Sequence, residues 1–118
     1  MEKPKIKNII AQLPVLDFTK SKQFYIETLG CTLMGEYDDL LIFLWDGLEI
    51  HLWKCNDKTI PENSSCYIRV NTIDLLFEHY QKKLYGKIKI SDRPWGMREF
   101  YITDPSGNLL KFGEKIKV

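Results

Sequence analysis

The same order of hydrophobic patterns occurs twice along these 118 residues: a strand, a helix, then three short strands. This repeat limits the fold more than any other feature of the chain. In the first half, residues 6 to 16 read as a strand, and Asp17 then caps a helix carrying Phe24, Tyr25, Thr28 and Leu29, which Gly30 stops. Strands follow at about Cys31 to Tyr37, Leu40 to Trp45 and Leu48 to Lys54, separated by Asp38-Asp39 and Asp46-Gly47. An Asp-Gly pair between apolar runs is a hairpin signal. The second half opens after a polar stretch, Asn56 to Ser64, with a strand at Ser65 to Val70. An Asn71-Thr72 cap leads into a helix with Ile73, Leu76, Phe77, Tyr80 and Leu84 on one stripe, closed by Gly86. Strands near Lys87 to Ser91, Met97 to Thr103 and Asn108 to Glu114 complete it. An internal duplication accounts for both halves, with modules at about residues 6–55 and 65–114 of one 118-residue domain.

Charge and cysteine content remove several classes of function. Seventeen basic residues are matched by sixteen acidic ones and spread along the chain, which argues against a nucleic-acid surface. No stretch of 18 uncharged apolar residues occurs, and residues 1–7 lack the apolar run of a signal peptide. The expectation is a cytoplasmic protein with no membrane partner. Cys31, Cys55 and Cys66 are odd in number and have no CxxC spacing, so reduced thiols are expected rather than disulfides or a zinc knuckle.

The segment Pro94-Trp95-Gly96-Met97-Arg98-Glu99-Phe100 sets an aromatic on a bendable loop beside a strand, and Asp104-Pro105-Ser106-Gly107-Asn108 supplies a tight turn after it. Together these resemble the Pro-Trp-Gly-Arg-Glu-Phe and Asp-Pro-x-Gly-Asn segment of bleomycin-resistance proteins, with Met97 as one additional residue. Those proteins belong to the vicinal-oxygen-chelate group, with glyoxalase I and extradiol dioxygenases. Leu13-Pro14-Val15-Leu16, Phe24-Tyr25 to Leu29-Gly30, and Ile60-Pro61-Glu62-Asn63 leading to Tyr67-Ile68-Arg69-Val70 extend the likeness over nearly the whole chain. The resemblance implies an α+β fold of two βαβββ modules whose curved sheets form a cup. It also implies a homodimer, with Pro14 at the place where the first strand of family members crosses to the partner.

In metalloenzymes of this group, a His or Glu from each of four strands meets the ion. The matching positions here are Ile10, His51, Ser65 and Lys111. An isoleucine offers no donor and an ammonium repels a cation, so neither a metal nor another cofactor is expected. Glu49, His51 and Cys55 share one strand parity, yet ligands along a single strand are spread too far to converge. If the four positions face the cup, alternation also turns inward Asn8, Gln12, Glu49, Trp53, Tyr67, Arg69 and Leu109. The opposite face is then apolar: Leu48, Ile50, Leu52, Cys66, Ile68, Val70, Leu110 and Phe112. His79 falls on the outer side of its helix.

Three functions fit these residues. The first, which the resemblance implies, is a non-catalytic binder that sequesters an aromatic antibiotic at a dimer interface. Trp95 matches a stacking tryptophan of the family and Leu40 stands where the family has a stacking phenylalanine. Glu49, His51, Trp53, Tyr67, Arg69 and Lys111 would line the cup. The alternatives are a glyoxalase- or dioxygenase-like enzyme on the same fold, using His51 and Glu49 as acid and base, and an interaction module with a vestigial cup. The near-neutral charge, and Arg69 and Lys111 in the cup, set the chain apart from strongly acidic family members that hold a cationic drug.

Overall fold

Eight strands and three helices carry the repeat in the computed structural model, which describes residues 1–117. The first half holds β1 (Gln12–Val15), α1 (Phe18–Gln23), β2 (Thr32–Glu36), β3 (Leu40–Trp45) and β4 (Leu48–Lys54). A one-turn helix, α2 (Thr59–Glu62), connects it to the second half: β5 (Ser65–Arg69), α3 (Ile73–Lys83), β6 (Ile90–Asp92), β7 (Met97–Thr103) and β8 (Leu109–Lys115). The strands form two four-stranded sheets in the orders β1-β4-β3-β2 and β5-β8-β7-β6. In each, the strand before the helix lies parallel to the last strand of its half, and the rest pair antiparallel. The α+β architecture with duplicated modules is thus what the repeat required.

Several boundaries differ from the sequence expectation. The first strand begins at Gln12, not Ile6, because its ladder to β4 starts with His51 N donating to Ala11 O. Residues before that have no strand to pair with, and Ile6 and Ile9 are 81% and 92% exposed. Ile10, placed in the cup by the resemblance, and Asn8, placed there by alternation, therefore lie outside any strand. The first helix turns π-helical over Phe24–Thr28, a widening that places Tyr25 fully in the core. Thr72 does not cap α3 with its hydroxyl. It sits in the left-handed region with φ +53°, and the Glu114 carboxylate instead accepts from Thr72 N and Ile73 N at 2.9 and 3.0 Å. A carboxylate there also opposes the positive end of the helix dipole. The strand expected at Lys87 to Ser91 is confined to Ile90–Asp92, since Tyr85 and Gly86 both take positive φ and delay the ladder.

The core lies between the sheets and helices and is common to both halves. Phe100 and Phe112 stack at 4.7 Å with Tyr80 of α3 against both. Trp45 from the first sheet meets Phe112 edge-on at 5.7 Å. Ile50, Leu52, Leu110 and Phe112 are buried and Cys66, Ile68 and Val70 pack partly against them, as the alternation predicted. Leu48 departs from that set: its parity is right, but at the strand tip beside Gly47 it is 72% exposed.

A buried polar network fastens the β7–β8 turn to the first half. Asp104 Oδ1 accepts from the backbone N–H groups of Ser106, Gly107 and Asn108 at 2.9 to 3.0 Å. Its Oδ2 accepts from Tyr25 Oη at 2.7 Å and Asn108 Nδ2 at 2.9 Å. Asn108 Nδ2 also donates to Pro14 O, and Leu16 N donates to Ser106 Oγ. Burial, then the adjacent Asp104 charge, push the Tyr25 phenol well above its ordinary pKa. The radius of gyration, 15.5 Å, exceeds the roughly 13.5 Å expected of a compact domain this long. The molecule is flat, 48 × 44 × 25 Å.

Candidate functional site

Strand pairing sets which residues stand beside one another on the two candidate faces. Opposite one another on the first sheet lie Gln12 and His51, Ile42 and His51, Leu40 and Trp53, and Leu44 and Glu49. On the second, Tyr67, Lys111 and Tyr101 form one cross-strand row, and Arg69, Gly113 and Glu99 the next.

On the first sheet His51 is held from both sides. Its Nε2 lies 2.5 Å from Glu49 Oε2 and its Nδ1 3.0 Å from Gln12 Nε2. A carboxylate can only accept and an amide nitrogen only donate, so the imidazole donates through Nε2 and accepts at Nδ1. Both ring nitrogens are engaged within the chain. Cys55, beyond the strand end, donates instead to Asp57 O, and does not join Glu49 and His51.

The second sheet carries a denser cluster, built around Glu99. This residue is only 3% exposed, yet it receives three side-chain donors. Tyr101 Oη reaches Oε1 at 2.6 Å, while Tyr67 Oη and Trp95 Nε1 reach Oε2 at 2.5 and 3.0 Å. Burial pushes the Glu99 carboxyl up, but these hydrogen bonds and the Arg93 charge outweigh it, leaving it below the usual carboxylate value. Trp95 sits in a tight turn closed by Arg93 N to Met97 O at 2.7 Å, with Gly96 at φ +81°. Trp95 is 59% exposed, so Glu99 orients a residue that solvent can still reach. Met97, the additional residue, begins β7 and is buried.

Each ring of the cluster also carries a cation of the chain. Arg93 lies 4.8 Å from the Trp95 ring centre, Arg69 5.6 Å from Tyr67 and Lys111 5.9 Å from Tyr101. Of the residues expected from sequence, the fold thus groups Tyr67, Arg69, Lys111 and Trp95 on one sheet, and Leu40, Glu49, His51 and Trp53 on the other. Among the described residues no hydrogen bond or ring stacking links the two groups. Glu99, Tyr101, Arg93 and Gly113 were not foreseen as site residues. Alternation along Met97–Thr103 would have found Glu99 and Tyr101, because Phe100 and Ile102 must face the core.

Gly113 is required by this cluster. A Cβ there would overlap the Tyr67 hydroxyl and lie 2.7 Å from its Cζ. Gly113→Ala is expected to swing Tyr67 off Glu99 and change the near-UV circular dichroism, at a stability cost of only about 1 kcal/mol, because the far end of a side chain moves rather than backbone. An unchanged near-UV spectrum would contradict this.

The sequence profile of the Glyoxalase/Bleomycin resistance protein/Dioxygenase superfamily matches residues 8–112. The chain belongs to this superfamily. The bleomycin resistance protein of Geobacillus stearothermophilus is 32% identical over 127 aligned positions, covering 92% of this chain and 96% of that protein. Among solved structures, the bleomycin-binding protein from bleomycin-producing Streptomyces verticillus, complexed with copper(II)-bleomycin, superposes with a TM-score of 0.83 at 22% identity, over 98% of this chain and all of that one. The bleomycin resistance determinant encoded on transposon Tn5 gives 0.79 at 21% identity, over 93% and 98%. The positions matching the metal ligands of the superfamily's enzymes do not fit an ion here. Ile10 has no donor, Ser65 offers a hydroxyl at the start of β5, and the Lys111 ammonium lies over Tyr101. Among the described residues, no three His, Cys, Asp or Glu side chains are grouped to hold a metal.

Proposed function

We propose that this superfamily member binds and sequesters a flat aromatic small molecule, of the antibiotic kind for which its relatives are named, without chemical conversion. The cluster in which Glu99 aims Trp95, Tyr67 and Tyr101 carries this reading. Trp95 supplies a large exposed ring whose orientation is set in advance, which lowers the ordering cost of stacking a ligand on it. Trp53 and Leu40 offer a second apolar wall, with His51 and Glu49 as polar handles beside it. The engagement of both His51 nitrogens favours a positioned hydrogen-bonding group over a free general base.

The open sheet faces support a site completed by a second copy of the chain. Two surface depressions of the chain lie elsewhere, one against Glu78, Gln81 and Lys82 of α3 and one between Thr72, Arg98 and Glu114. A twofold pair would cover Trp53, Tyr67 and Trp95, and the exposed Ile6 and Ile9 give residues 1–11 an apolar edge to lay on the partner. The shared core supports reading the chain as one domain of two modules.

Titration of tryptophan fluorescence with copper-free bleomycin and with flat aromatic antibiotics of cationic, neutral and anionic character tests this. Saturable quenching at about one ligand per chain, lost in Trp95→Ala, is the expected outcome. Absence of a saturable response to every compound would overturn it.

A further inference from the structure

We infer that the second-sheet face selects an aromatic ligand bearing an acidic group, with the acid held by Arg69 and Lys111 and the ring against Trp95. This rests on the small-molecule reading above and names its ligand class.

Three observations carry it. First, Glu99, the carboxylate that the described residues place on this face, is already occupied: it is 3% exposed and takes three donors from its neighbours, so little of it remains for an incoming cation. Second, neither Arg69 nor Lys111 is in an ion pair among the described residues. The ion pairs there are Lys22–Glu36, His51–Glu49 and those of Arg98 with Asp74 and Asp92. The Arg93 charge, by contrast, already acts on Glu99. Third, the seats a ligand cation would take over the aromatic faces are filled, since each of the three rings has its own arginine or lysine within 5.9 Å. A cationic ligand would meet like charge in a partly desolvated cleft, whereas a carboxylate, sulfonate or phosphate would complete unsatisfied donors. Lys111 is flanked by Tyr67 and Tyr101 across the strands, which places the charge beside the rings rather than at a distant rim.

Calorimetric titration of the intact protein with three matched probes, 2-naphthoate, 2-naphthol and 2-naphthylmethylammonium, tests this. The carboxylate is expected to bind roughly tenfold or more tightly than the ammonium, with an affinity that falls as salt is raised. In the Arg69→Gln, Lys111→Gln double variant, checked for folding by circular dichroism, the preference is expected to collapse, and Lys111→Arg is expected to keep it. Equal or tighter binding of the ammonium overturns the inference, as does a preference that survives in the double variant. Failure of all three naphthalenes while an aromatic antibiotic still binds also overturns it, but leaves the sequestration reading standing. Failure of the naphthalenes and the antibiotics together overturns that reading as well.

Discussion

Asp104→Ala is expected to destabilise the fold by about 3–5 kcal/mol, the range for stripping one partner from a buried charged network. For a chain of this length that corresponds to a fall in Tm of roughly 12–20 °C. The size follows from what the carboxylate holds. Its Oδ1 satisfies three consecutive backbone N–H groups of the β7–β8 turn, and its Oδ2 holds Tyr25 and Asn108. Removal would leave buried donors without acceptors and release the turn from Pro14 and Leu16 of the first half. Tyr25→Phe breaks one of these bonds and leaves Asp104 its other donors, so a loss of about 1–2 kcal/mol is expected. Urea denaturation midpoints of the two variants check the ordering. Equal midpoints would show that the backbone turn, not the carboxylate, carries the junction.

Glu99→Gln is expected to weaken ligand binding by about tenfold or more, with a far smaller effect on folding. An amide can still accept, but its NH₂ would face donors where Glu99 now presents two acceptor oxygens to three of them. Trp95 would then lose its fixed orientation while the core beneath, Phe100 and Phe112, stays packed. In a Trp45→Phe, Trp53→Phe background, fluorescence anisotropy of Trp95 should fall in the Glu99→Gln protein. Unaltered anisotropy would mean that the turn alone holds the indole.

Glu99 also gives a pH signature. Its carboxyl lies below the usual value in the folded protein, so the unfolded chain takes up the proton first. The stability it contributes is therefore present above the ordinary carboxylate pKa and is lost as pH falls through the depressed one. Glu99→Gln should flatten that part of the acid stability profile, and an identical profile in both proteins would argue against the coupling.

A feature of this fold is legible in the sequence where its cause is local. The two halves and the order of their elements follow from periodicity, and Leu52, Phe112 and their neighbours go to the core by parity once the resemblance fixes the inward face. Asp46-Gly47 and Asp104 to Asn108 announce their own turns. The first strand was read too long because apolar residues at Ile6 and Ile9 look the same whether or not a partner strand exists. The pattern points to Thr72 as the cap of α3 because Glu114, which supplies it, is 42 residues away along the chain.

The candidate site divides in the same way. As candidates, Trp95 and Lys111 follow from the family resemblance, and Tyr67 and Arg69 from alternation anchored on it. The repeat and the two faces of each sheet can be read from the chain alone, because hydrophobic spacing and turn chemistry act over a few residues; the superfamily is legible only through the resemblance of the Pro94–Phe100 and Asp104–Asn108 segments. That Glu99 gathers Tyr67, Trp95 and Tyr101, that Gly113 makes room for Tyr67, and that Asp104 ties the halves together emerges from the folded chain alone. Those contacts depend on the register between strands distant in sequence, and a buried polar group takes whichever partner the fold brings within hydrogen-bond reach.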